Sequence, residues 1–499
     1  MSRRPAAGAR RIVRRVPSVL RRIPRAAWIC ALIACLNAAC WSVITPPFQV
    51  PDEPSHFAYV QTLAENGSLP TAGGIHSEEE EVALRDLHHK EVRFHPENHP
   101  INTQAEQRRL QHDLALPLKR SGPGGAGVAA SEPPLYYALE TIPYFLGSSG
   151  SLLDQLELMR LLSALMAGLT ALFAYLFVRE ALPGATWASA VGGLCVALTP
   201  LLGFMSGAVN PDAMLYAVSA AVFYLLARAF RRGLTPSLAI AIGAVTAIGL
   251  LTKLNFIGLV PGIMLGLVVL AVRAARTSKR TAYRSLALAV AIAASPALLY
   301  IVVNLFSNHP GLGEVSSAIH LTSGRGPVLD ELSYIWQFYL PRLPGMANDL
   351  PGISTTIQMW FDRSVGDYGW LDTSFPVWVE HIALIPAVLL AILGIGSLIA
   401  VRATVRRRLV ELAIYGVMGV GVMALIGADQ YLAYLAKTGE PYGEPRYLLP
   451  MLPLLGAALV LSARGAGRRW GPPVGALIVV LFLAHDLFSQ LQVIARYYG

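Results

Sequence analysis

The chain has 499 residues, of which 54% are hydrophobic and 14% charged, and its mean hydropathy is +0.50. That is too apolar for a soluble protein of this length and places the chain among polytopic membrane proteins. A formal net charge of +9 would suit a nucleic-acid partner, but Arg is concentrated in the N-terminal tail and in short links between apolar runs. Membrane topology accounts for that distribution, and nucleic acid is rejected as a partner.

In chain order, residues 1–26 form a basic tail that is expected to stay in the cytoplasm. The segment 27–45 follows as the first membrane span. Its opening imitates the basic and apolar regions of a cleavable signal, with Cys40 near a lipoprotein position. However, the apolar run is close to spanning length and further spans follow, so it reads as an uncleaved helix. Cys30, Cys35, Cys40 and Cys195 all lie in apolar segments. A five-residue spacing turns each of the first three about 140° from the last, so they share no metal-binding face and read as packing residues.

Taking about 20 apolar residues per crossing, the remaining spans fall at 156–178, 185–205, 211–227, 236–252, 255–272 and 285–304. After a second gap they resume at 380–401, 410–427, 447–463 and 473–493, for about eleven in all. The links that alternate to one side, "VREALPG", "RAFRRGL", "RAARTSKRTAYR", "RATVRRRL" and "ARGAGRRWG", all carry Arg. That side is expected to be cytoplasmic. The outer face then receives two long segments, 46–155 and 305–379, together with short links near 210, 253 and 428–446. Residues 156–304 would carry spans two to seven and 380–499 spans eight to eleven. No internal repeat and no phosphate-binding Gly-rich loop is present, so nothing indicates ATP-driven transport.

Within 46–155, Ser77 and Glu80 have capping-box spacing and predict a short helix over 78–91. The glycine-rich 121–131 reads as a connection. "PPLYYALETIPYFLG" at 133–147 predicts an amphipathic or re-entrant helix at the interface. His88, His89, His95 and His99 cluster without a recognised metal-ligand spacing and read as polar loop residues. In the second segment, "DRSVGDYGWLDTSFP" mixes acids, Gly and aromatics, suited either to stacking on a sugar or to an interfacial belt. His485 and Asp486, inside the last span, suit either interhelical hydrogen bonding or a proton relay.

This topology gathers distant charges on one surface. Asp52, Glu53 and His56 follow the first span; Asn210 and Asp212 open the fourth; Lys253 interrupts a long apolar stretch between the fifth and sixth; Arg446 and Tyr447 open the tenth. Taken singly, Asp52 and Glu53 could cap a helix, Asp212 could serve a helix dipole, Lys253 could snorkel and Arg446 could anchor at the interface. Their coincidence is what points to chemistry. A carboxylate can take a proton while Lys and Arg hold a phosphate, which suggests work on a lipid-linked phosphate.

"PPFQVPDEPSHF", "PPLYY", "NPD", Lys253, "YGWLD" and "PRYLLPMLP", in that order, resemble a family of bacterial polytopic membrane proteins labelled as a domain of unknown function and related to the GT-C glycosyltransferases. The resemblance covers nearly all of the chain after its tail. It implies an all-α GT-C-like bundle whose long first outer loop carries an acidic motif and interfacial helices. It further implies a polyprenyl-phosphate sugar as donor and inverting transfer at the outer face of the plasma membrane to a glycan, lipid or protein acceptor. The base would map onto Asp52 or Glu53, with Glu53 alternatively orienting Asp52 or binding a divalent ion. Lys253 and Arg446 would hold the donor phosphate, with His56, Asn210, Asp212 and Tyr447 in support. The family often reads Gly-Arg-Tyr where this chain has Pro445-Arg446-Tyr447, which stiffens the backbone before the Arg. The competing expectations are a lipid-linked glycan flippase that forms no glycosidic bond, and an assembly protein whose outer loops dock partners.

Overall fold

A computed structural model describes residues 23–71, 76–101, 103–122, 127–306, 328–350, 356–435 and 443–499. Most of the basic tail, part of the glycine-rich connection and parts of the second long segment and of the 428–446 link lie outside the described residues. Among those described, the protein is almost wholly helical, with one two-residue antiparallel pairing, Asp367–Tyr368 with Thr373–Ser374.

Among the described residues, nine helices are long and apolar enough to cross a membrane. They begin with α1 (Arg25–Ile44) and, after the first long loop, α7 (Leu152–Ala181). The expected third span is a bent pair, α8 (Thr186–Ala197) and α9 (Pro200–Ser206), with a 54° break; counted as one it makes ten. Pro200 explains the break, since it removes a backbone donor and disfavours a helical residue before it. α10 (Asp212–Arg232) follows, and α11 (Pro236–Thr252) is apolar but only 17 residues long. The count is therefore nine or ten by length and composition, against the eleven expected. α12 (Val260–Ala275) and α13 (Lys279–Phe306) complete the first group, and Val377–Ala400, Leu409–Leu435, Pro445–Gly465 and Gly467–Tyr498 form the second.

α7 is the central post, packed on α1, α8 and α10, and most of its length is buried. The bent pair reaches α1 closely because Gly207 has no side chain: a Cβ there would stand 2.8 Å from the Ala38 carbonyl oxygen. Many helix surfaces stay apolar and outward-facing, as on Val377–Ala400, which buries little but Glu380 and Ser397. In a membrane protein those surfaces belong against lipid.

The first long loop is built from short helices: α2 (Glu53–Asn66), α3 (Glu78–Asp86), α4 (His89–Val92), α5 (Gln104–Leu114) and α6 (Leu135–Leu146). The helix expected over 78–91 is broken at His88, which adopts a left-handed conformation. Only half of its capping box forms. Ser77 Oγ accepts from the Glu80 N–H at 3.1 Å, while the Glu80 carboxylate turns to His76 at 2.9 Å. α6 is amphipathic as expected, burying Tyr136, Tyr137, Glu140 and Tyr144 and exposing Ile142, Phe145 and Leu146.

Candidate functional site

Asp52 and Glu53 are neighbours in sequence but point into different environments. Glu53 is fully buried and meets Arg160 of α7 through a two-pronged ion pair, Nε to Oε1 at 2.8 Å and Nη2 to Oε2 at 2.7 Å. Its oxygens also accept the backbone N–H groups of Phe48, at 2.9 Å, and Val209, at 3.1 Å. Four donors saturate this carboxylate, which leaves it unsuited to taking a proton from substrate. Sequence reasoning missed Arg160. It sits in "LMRLLSALMAG", where an intramembrane Arg without a visible partner was itself the signal.

Asp52 occupies the N-cap position of α2 but makes no capping hydrogen bond. Its Oδ2 accepts from Arg446 Nη2 at 3.0 Å, across 394 positions of sequence, and its side chain remains 30% exposed. Its backbone is left-handed, with φ of 66°, a conformation that costs a non-glycine residue on the order of 1–3 kcal/mol and needs external support. Burial pushes the Asp52 carboxyl up, but Arg446, with Lys253 behind it, pulls harder in the other direction and holds it below its ordinary value. It is therefore an anion at neutral pH.

Arg446 stands in the 3-10 segment Pro445–Met451 and is 7% exposed. It contacts Glu444 through Nε, donates from Nη2 to the Tyr447 hydroxyl at 3.2 Å and lies over that ring at 5.0 Å. Nη1 is buried with no hydrogen-bond partner among the described residues. Tyr216 fixes the backbone by donating to the Arg446 carbonyl at 3.2 Å.

A second pair completes the site. Lys253 follows α11 as its C-cap and donates from Nζ to Asp212 Oδ1 at 2.9 Å, both side chains being buried. Burial alone would discharge Lys253, but Asp212 and then Glu132 raise its pKa and keep it a cation. It is therefore not snorkelling. Asp212 Oδ2 is buried with no hydrogen-bond partner among the described residues. Asn210 Oδ1 accepts the Asp212 N–H at 3.0 Å, while its Nδ2 reaches the Pro51 carbonyl at 3.4 Å. The "NPD" turn is thereby tied to the residue before Asp52.

His56 lies between the pairs. It is buried, accepts or donates through Nδ1 to the Tyr137 hydroxyl at 2.9 Å, and responds electrostatically to Lys253, Asp52, Asp212 and Arg446. Burial, followed by Lys253, lowers its pKa to about 3, so it is a neutral imidazole. The sequence-predicted residues thus converge, and Glu53 alone is committed to a separate internal network. Among the described residues no group of three or more His, Cys, Asp or Glu side chains is placed to hold a metal ion.

A mainly apolar groove is lined by Pro200, Leu448, Leu449, Leu452, Leu455 and Phe482, and it shares Pro445 with the small pocket that Arg446 lines. The other motifs are occupied elsewhere. Trp370 of "YGWLD" is buried, donates to the Phe48 carbonyl at 3.2 Å and carries the Arg93 guanidinium 4.0 Å above its ring. It joins the two long segments and leaves no open face for a sugar. Asp486 accepts from Trp41 Nε1 at 3.1 Å and Gln490 at 3.1 Å, an interhelical tie rather than a relay. The four loop histidines have separate partners: Glu106, Trp370, Glu97 and the Tyr497 carbonyl.

These features describe a polytopic all-α membrane protein with a charged site at one end of its bundle. The chain belongs to the family described as "Predicted membrane protein (DUF2142)", whose profile matches residues 35–455. No curated protein matches it. Among solved structures several are similar to it at low identity. One is the apo oligosaccharyltransferase of Archaeoglobus fulgidus, at 13% identity and a TM-score of 0.43, covering 95% of this chain and 56% of that one. Another is ArnT from Cupriavidus metallidurans bound to undecaprenyl phosphate, at 13% identity and a TM-score of 0.45, covering 93% and 75%. A third is the arabinosyltransferase EmbB from Mycobacterium smegmatis, at 12% and 0.36, covering 99% and 43%. The chain thus spans about half the length of the first and less of the third.

Proposed function

We propose that the protein is an inverting glycosyltransferase that moves a sugar from a polyprenyl-phosphate donor to an acceptor hydroxyl at the outer face of the bacterial plasma membrane. The observation that carries the reading is Arg446: a buried guanidinium with one unpartnered nitrogen, 3.0 Å from a partly exposed carboxylate and next in sequence to Pro445, which lines an apolar groove. An anionic head joined to a long hydrocarbon suits that combination, and the arginine-rich links on the opposite side support an outward-facing site.

In this reading the donor phosphate engages Arg446, with Lys253 supplying further positive charge. Asp52 takes the proton from the acceptor hydroxyl as its oxygen bonds to the anomeric carbon. The bond from that carbon to the phosphate oxygen breaks, and its electron pair stays on the polyprenyl phosphate, where the cations stabilise it. Phosphate binding also draws Arg446 charge away from Asp52, so the base gains proton affinity only in the loaded site. Glu53 supports the backbone, and His56 remains a neutral hydrogen-bonding group.

The test is sugar transfer by the purified protein from a panel of synthetic polyprenyl-phosphate sugars, with Asp52→Asn as the paired variant. Product from one donor, lost in the variant, is expected. Movement of a lipid-linked glycan across vesicles without a new glycosidic bond would instead establish the flippase.

A further inference from the structure

We infer that the Glu53–Arg160 pair is a positioning device for that reaction, setting where Asp52 stands relative to Asp212. The inference rests on the glycosyltransferase reading. Beyond Glu53, Arg160 donates from Nη1 to the Ser42 and Thr45 carbonyls, each at 2.9 Å, and from Nη2 to the Pro46 carbonyl at 3.1 Å. Glu53 in turn holds the N–H groups of Phe48 and Val209. One ion pair therefore joins three stretches of backbone: the end of α1 with the turn after it, the turn bearing Asp52, and the residue preceding Asn210, Pro211 and Asp212. Two of these stretches carry the acids of the site.

The backbone shows why such a hold is required. Phe48 and Asp52 are both left-handed, with φ of 64° and 66°. Non-glycine residues persist there only when their surroundings determine them. Glu53 grips the first through its N–H and adjoins the second, while Asn210 holds the Pro51 carbonyl on the other side. Well-packed apolar residues of similar volume would hold the helices together as well as a buried ion pair does. They would not grip Phe48 and Val209. Both charged side chains are fully buried, so they act through Asp52.

The experiment measures release of polyprenyl phosphate from synthetic polyprenyl-phosphate arabinose, mannose, glucose and galactose by the full chain in detergent. It compares wild type, Asp52→Asn, Arg160→Lys and the double variant Glu53→Gln with Arg160→Met. The double variant leaves neither position charged and is expected to elute as a folded peak, with a melting temperature lowered by the backbone groups it no longer pairs. Its kcat is expected to fall about 100-fold, as a misplacement near 1 Å would produce, with the donor KM within roughly threefold. Arg160→Lys keeps the charge without the fork and is expected to stay impaired. A folded double variant with wild-type kcat, or a loss matching its folded fraction, would overturn the positioning role alone. Absence of release by wild type from every donor would overturn the parent reading and this inference together.

Discussion

Two carboxylates one peptide bond apart sit in opposite surroundings, one sealed and the other partly open. Glu53 is sealed, its oxygens filled by Arg160 and two backbone N–H groups. Asp52 faces a guanidinium that still has an unpartnered nitrogen and keeps part of its own surface open. A saturated charge pair rigidifies but cannot easily change partners; an unsaturated one stands ready for a ligand. Sharing an acidic motif therefore did not give the two residues the same surroundings.

The most severe way to break the comparison is to unpair the sealed acid. Arg160→Met alone would strand the Glu53 carboxylate in a buried site, at a cost of roughly 3–5 kcal/mol. The expected result is loss of the monodisperse folded peak on size exclusion in detergent. Asp52→Asn should change stability by no more than about 1 kcal/mol, because its partner pair is partly solvated. If both variants proved equally stable, the distinction between a structural and a reactive acid would collapse.

In activity the order should reverse. Asp52→Asn is expected to lower kcat by about 10²–10⁴-fold in the donor panel, the range for a general base. Full turnover by this variant would remove Asp52 from the chemistry. A smaller effect is expected from Arg446→Lys, which retains a cation but loses the fork and the contact over Tyr447. Donor KM should rise about tenfold, as expected when one charge-assisted hydrogen bond is lost, while the acid limb of the pH profile shifts upward as Asp52 is less strongly held.

The legibility of the two acids differed for a physical reason. Counting spans was enough to bring Asp52, Asp212, Lys253 and Arg446 to one surface, because apolar length and the placement of Arg fix which links share a side. It could not say which charge meets which, since Arg446 lies 394 positions from Asp52 and Arg160 lies 107 from Glu53. Nor could hydropathy reveal Arg160, which one charge in a long apolar run barely perturbs. The bend before Pro200 and the break at His88 were lost similarly, because a smooth apolar or capping pattern does not report local backbone geometry. Trp370 shows the converse limit: an aromatic in a polar loop looked suited to a ligand and is instead spent on the Phe48 carbonyl.

The mildest prediction concerns the imidazole between the pairs. Folding holds the His56 pKa down to about 3, chiefly by burial and then by Lys253, whereas in the unfolded chain it lies near 6.5. Between those values the unfolded state binds the extra proton, so this group's contribution to stability is present above about pH 6.5 and declines as pH falls through the window. Glu80 opposes it: burial raises its pKa from 4.5 to about 7, which favours the folded state on acidification over much of the same range. The wild-type melting profile alone therefore cannot isolate His56. The difference between His56→Gln and wild type can, because Glu80 is common to both and Gln offers a polar partner for the Tyr137 hydroxyl. Melting in detergent from pH 7.5 to 5 should show the variant losing less stability than wild type. Parallel curves would mean that His56 takes up its proton in the folded state, and the site between the two pairs would then carry a third positive charge.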